Sequence, residues 1–140
     1  MATATFTPTL STSAPPDVTD TYVHYFGTLA ISAAADTYLT GGLVCSFAGI
    51  KLDSSAVPTE VRIWDETAGV GLVYQYCKGT KLSDGKVVIR GQYPDSGIGA
   101  GKFPLPEVAN ALALNDATLA IDTAAAAGKL TFEAIFRKGK

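Results

Sequence analysis

Histidine is almost missing from this chain: His24 is the single one in 140 residues. A Ser-His-Asp or Cys-His relay would have to run through it, and no Gly-x-Ser-x-Gly turn presents a serine nucleophile. A histidine-built transition-metal site is excluded for the same reason, leaving only carboxylates as hard ligands. Charge is scarce as well. Asp, Glu, Lys and Arg make up 17% of the chain, where a solvated domain usually carries nearer a quarter, and such a shortage points to surface covered by a partner. The net charge is -2, and the basic residues are scattered apart from Arg137, Lys138 and Lys140. Nucleic acid requires a basic stripe or patch, so it is not an expected partner.

Long apolar runs are lacking too. No stretch of about 18 apolar residues could span a bilayer, and Met1-Ala2-Thr3-Ala4-Thr5-Phe6 has neither the basic start nor the apolar run of a secretory signal. The expectation is a protein made in a cytoplasm, not exported by that route and not inserted in a membrane. The two cysteines, Cys45 and Cys77, lie in apolar strand-like runs without a Cys-x-x-Cys partner, so zinc and dithiol redox chemistry are not expected. Each reads as a buried free thiol; a disulfide would require adjacent strands, which spacing alone does not establish.

What the chain does have is alternation and punctuation. At 140 residues it is long enough to bury about two-thirds of its unfolded surface as one domain. Residues 1–21 are rich in Thr, Ser, Ala and Pro, and Pro15-Pro16 favours extended backbone. This segment is expected to be a flexible arm that orders on a partner, because Phe6 and Leu10 bury too little to offset about 1–2 kcal/mol of backbone entropy per residue.

From Tyr22 the pattern changes. Val23, Tyr25, Gly27, Leu29 and Ile31 share one face of a strand, with Tyr22, His24, Phe26, Thr28 and Ala30 on the other. The polar turn Asp36-Thr37-Tyr38-Leu39-Thr40 closes on Gly41-Gly42 and opens into a strand with Leu43, Cys45 and Phe47 on one face. After a connection at 53–55, residues 60–65 place Val61 and Ile63 together and Trp64 opposite, and pair with 72–77 as a hairpin around a longer loop. Asp84-Gly85 is the strongest short turn signal, leading into a strand at 86–93. Residues 94–106 read as a long loop because of their glycines and prolines. Residues 107–114 suggest a short helical turn, 118–122 a short strand, 124–128 a turn, and 130–137 a last strand with Leu130, Phe132, Ala134 and Phe136 inward. Seven or eight short strands without a long helix predict an all-β fold, an antiparallel β-sandwich best described as a jelly roll over 22–140, with the extended arm before it.

Two stretches invite a catalytic reading and fail it. Asp95 to Lys102 has Ser96 where a phosphate loop needs glycine, Phe103 where it needs Ser or Thr, and Pro104 where a helix should begin. Asp65-Glu66 are adjacent carboxylates that point apart on a strand, so a glycosidase pair is not formed by them. No enzyme activity and no cofactor is expected.

The Tyr38-x-x-Gly41-Gly42 turn, the Thr/Ala-rich start, the middle hairpin and the closing strand Leu130-Thr131-Phe132-Glu133-Ala134-Ile135-Phe136 resemble the jelly-roll capsid decoration, or cement, proteins of tailed bacteriophages. The resemblance implies a structural virion protein on the outer capsid surface that clamps contacts between major capsid protein subunits, as a homodimer or trimer, and it supplies no catalytic residues. The residues expected to meet a partner are Phe6, Leu10, Tyr22, Phe26, Trp64 and Phe103, since aromatics are enriched and charges depleted at interfaces. The alternative is a receptor- or carbohydrate-binding module of a phage tail or fibre, using the same aromatics and the 94–106 loop.

Overall fold

A computed structural model describes residues 2–13, 15–50, 57–67, 72–91, 107–116 and 120–138. The expected connection at 53–55, the 94–106 loop and Phe103 lie outside the described residues. Within them the chain is all-β. The strands are β1 (Thr5–Leu10), β2 (Asp17–Val18), β3 (Tyr22–Ile31), β4 (Leu43–Cys45), β5 (Glu60–Asp65), β6 (Leu72–Cys77), β7 (Lys86–Gly91) and β8 (Leu130–Arg137), with a short helix α1 (Ile121–Ala126) before the last.

The strands do not divide into two facing sheets. They run in the order β1-β4-β7-β6-β5-β8-β3-β2, and β1 pairs with β3 as well as β4, so seven of the eight close into a ring. This corrects the expected sandwich to a barrel. A ring with an odd number of strands cannot alternate direction all the way round, so one neighbouring pair has to be parallel. That pair is β1 and β4, while the other pairings are antiparallel. Closure leaves little free strand edge, which protects an all-β chain from pairing with its neighbours.

The expected arm is corrected too. Its first half is β1, bonded along β3 from Phe6↔Ile31 to Leu10↔Gly27. Phe6 is 2% exposed and belongs to the core. Proline inside this strand is tolerated for a definite reason. Ser11 N–H bonds to the Phe26 carbonyl and Ser32 N–H to the Thr5 carbonyl, so the alternate pair Pro8↔Leu29 is a non-hydrogen-bonded one. The nitrogen of Pro8 therefore faces the β4 side, where pairing stops at Phe6, and its missing N–H removes no ladder bond.

Inward faces follow the alternation read from the sequence. Val23, Tyr25 and Leu29 of β3 and Leu130, Phe132, Ala134 and Phe136 of β8 are buried, with Leu43 and Cys45 of β4 and Ile63 of β5. Phe47, just past β4, sits at the centre with its ring edge-to-face against Phe132 at 5.4 Å, Tyr76 at 5.6 Å and Phe136 at 6.3 Å. Each large apolar side chain buried this way stabilises the fold by about 1.5–3 kcal/mol before entropy. The hairpin of β5 and β6 forms as expected, with Arg62↔Gln75 and Ile63↔Tyr74 in register. Between β6 and β7 the Asp84 carboxylate accepts the Lys81 N–H and the Thr80 hydroxyl, both at 2.8 Å; these bonds hold its pKa below the usual carboxylate range.

Two local expectations change. Residues 120–128 are neither strand nor simple turn: α1 covers Ile121–Ala126 and buries Ile121 and Ala124, as an alanine run with the best helix propensity can do. Residues 107–114 are not helical; Glu107 bridges Arg90, Ala113 bridges Thr37, and Leu112 N–H closes a turn on Ala109. Neither cysteine is bonded, and only Cys45 is buried, Cys77 being exposed.

Burial of weak acids gives the fold an alkaline limit. The Cys45 thiol is pushed up to about 12 by burial, and the Tyr76 phenol to about 12 by burial and then by the charges of Cys45, Asp84 and Cys77. Tyr38 and Tyr74 are raised as well, each first by burial, then by the Glu107 hydrogen bond and the Asp65 charge respectively. Unfolded, these groups lose protons near 8.5 for thiol and 10 for phenol. Above those values the folded state retains protons that the unfolded state releases, so stability falls as pH rises. The urea midpoint is expected to change little through these groups between pH 7 and 8, to begin to fall above about pH 8.5 through Cys45, and to fall more steeply above about pH 10 as the phenols join it. A midpoint unchanged up to pH 11 would show that the phenols titrate normally in the fold.

Candidate functional site

The outside of the barrel is divided by charge. Around the middle of β3, β8 and β5, outward side chains form an ionic chain: Glu133 Oε2 lies 3.1 Å from His24 Nδ1, Glu133 Oε1 lies 3.5 Å from Arg62 Nη1, and Arg62 Nε bonds Glu60 Oε1 at 3.1 Å. Arg62 is exposed, and solvent screens its pairs.

Among the described residues, the next rows of outward positions on β1, β3, β8, β5 and β6 carry no charge. On β1 they are Thr5, Thr7 and Thr9, all exposed. Val44 on β4 stands in register with Thr5 and is 39% exposed. Thr9 faces Thr28 on β3, Thr28 faces Thr131 on β8, and Thr131 faces Trp64 on β5. Trp64 is 42% exposed, and Val73 on β6 is exposed as well. The uncharged wall thus runs from β4 round to β6. Both ends stop at β7, where Lys86 pairs with Val44 and Arg90 with Val73.

A groove of about 200 Å³ opens over β8 in this wall, with Phe26 and Trp64 on its sides and Ser11, Thr28 and Thr131 among its lining. A second groove of about 290 Å³ lies between the end of β3 and α1 and is lined mainly by alanine, with Asp122 beside it. Among the described residues no three His, Cys, Asp or Glu side chains group as a metal site, and no described helix is long and apolar enough to cross a membrane.

The residues expected to meet a partner separate in the structure. Phe26 and Trp64 come together at the groove, and Tyr22 is exposed at the far end of β3. Phe6 is corrected to the core, and Leu10 is half-buried against it. The signal for the threonine face is in the sequence: Thr3-Ala4-Thr5-Phe6-Thr7-Pro8-Thr9-Leu10 is a strict two-residue alternation, the signature of a half-buried strand. Fold and surface define a small closed β-barrel with one ionic face and one uncharged, hydroxyl-bearing wall. No family model, curated protein or solved structure matches the chain.

Proposed function

We propose that this chain is a structural virion protein that binds the outside of an assembled capsid and stabilises contacts between major capsid protein subunits. The uncharged side formed by Thr5, Thr7, Thr9 and Val44 on β1 and β4 is the observation that carries the reading. Such a side can be buried without stranding charges in an interface, where unpaired ions are costly. A protein that binds the assembled shell and not free subunits stabilises the shell by mass action. Tyr22, 37% exposed at the start of β3, supplies an aromatic contact for a homodimer.

Co-sedimentation tests this directly. The chain is expected to pellet with assembled shells and to leave free capsid subunits in the supernatant; equal affinity for both, or for neither, defeats the reading. Thr7→Lys places a charge in the middle of the β1 side, and it is expected to weaken shell binding about tenfold or more. Because Thr7 is exposed, the thermal midpoint of the free protein should stay within about 2 °C.

A further inference from the structure

The groove over β8 opens in the same uncharged wall, bordered by Ser11 just past β1 and by Thr28, which faces Thr9. Its centre lies two strands from β1 and three from β4 round the ring, and a free small ligand tests it apart from any shell.

Its chemistry is selective. Phe26 and Trp64 offer two aromatic surfaces on either side of a gap of about 200 Å³. Between them Thr131 is in register with both Thr28 and Trp64. The Thr131 hydroxyl donates to the Trp64 carbonyl at 3.4 Å, which leaves its lone pairs to accept. The Thr28 hydroxyl makes no hydrogen bond to another described residue and can both donate and accept. Among the described residues no charged side chain lines the groove. On the neighbouring outward positions of the same strands, Glu133 and Arg62 are engaged with one another, and Glu133 with His24.

Each property removes a class of occupant. A phosphate or carboxylate would meet no cation in the lining. An apolar side chain, from a second copy or another protein, would leave the Thr28 hydroxyl without water or partner, a cost that works against dry burial. A ligand with an apolar flat face and neutral hydroxyls at its edge satisfies both halves. Pockets of this kind, mostly apolar with a few placed polar groups, are the usual form of a small-molecule site. We infer that this groove binds a neutral pyranose ring, stacked on Trp64 with its hydroxyls bonded to Thr28 and Thr131.

Trp64 is the chain's single tryptophan, so its emission reports the groove alone. The full chain titrated with methyl β-D-glucopyranoside, methyl β-D-galactopyranoside and methyl N-acetyl-β-D-glucosaminide should give a saturable emission change with at least one of them. A ligand of that size is expected to half-saturate at about 1 mM. Glucuronate, the charged control, should produce at least tenfold weaker saturation. Thr28→Val and Thr131→Val keep shape and strand propensity; together they should weaken binding at least tenfold at an unchanged thermal midpoint. Trp64→Phe, read by ligand-detected NMR, should bind several-fold more weakly. No response to any of the three glycosides overturns the inference, as does an equal response to glucuronate. An emission shift on diluting the protein alone would assign the groove to a second copy and overturn it equally.

Discussion

Gly27→Ala is expected to cost about 3 kcal/mol of stability or to prevent folding outright. The position lies on the inward face of β3, opposite Leu10, in ordinary extended backbone, so the difficulty is space and not conformation. A methyl group there would collide with the Thr9 carbonyl oxygen and come within 2.9 Å of the Phe132 ring. Neither can retreat. Phe132 is 1% exposed and is packed against Phe47 at 5.4 Å. The Thr9 carbonyl is main chain, and moving it opens the pairing of Thr9 with Thr28 and Leu10 with Gly27. Those pairs join the first strand to β3 and complete the ring, so one methyl group acts on barrel closure. Urea unfolding followed by near-ultraviolet circular dichroism measures the effect. A loss below about 1 kcal/mol would mean that β1 shifts freely and that its pairing with β3 does not lock the ring.

Tyr38→Phe is expected to cost about 3 kcal/mol although it removes a single oxygen. Tyr38 is 1% exposed. Its hydroxyl donates to Glu107 Oε1 at 2.6 Å and accepts the Ile89 N–H at 3.2 Å. The same Glu107 oxygen accepts the Gly41 N–H at 2.7 Å. One phenol thereby ties the turn before β4 to the middle of β7 and to the segment at Glu107, which are far apart in sequence. Phenylalanine keeps the packing, but it leaves the Ile89 N–H unpaired in the core and removes a bond to a carboxylate. An orphaned buried donor costs about 1–3 kcal/mol, and a bond to a charged group contributes about 1.5–3. The measurement is the urea midpoint at constant slope, where a change under about 0.5 kcal/mol would show that water replaces the hydroxyl.

The double glycine beside Tyr38 has its own cause. Gly42 is held at φ +109°, and a Cβ there would meet the Val87 carbonyl oxygen at 2.9 Å. The chain turns into β4 hard against β7, which only glycine permits. Tyr38-x-x-Gly41-Gly42 is therefore a fastening of the barrel, and its residues act on stability.

What the sequence determined by itself is local. Alternation determined which side chains of β3, β4 and β5 share a face, and for β8 which face points inward, because a strand's two faces are set by a two-residue period that needs no knowledge of its neighbours. Leu130, Phe132, Ala134 and Phe136 were legible as core on that ground, Phe47 as sharing a face with Leu43 and Cys45, and Trp64 as an outer residue. The hairpin of β5 and β6 and the turn at Asp84 were legible because turn chemistry is local as well.

Other features were decided only in three dimensions. Residues 5–10 looked like an arm because a Thr- and Pro-rich strand has weak propensity and little apolar surface; it is ordered by pairing with β3 on one edge and β4 on the other. The alanines of α1 carried no inward pattern until Ile121 and Ala124 had a core to meet. Whether eight strands stack as two sheets or close as one depends on which edges meet. In this chain the deciding contact is β1 between β3 and β4, and closing the ring removes the exposed edges that a strand's polar backbone would otherwise leave unpaired. The groove is a product of the same closure, since Phe26, Trp64 and Thr131 lie on three strands and become neighbours only when β3, β8 and β5 lie side by side.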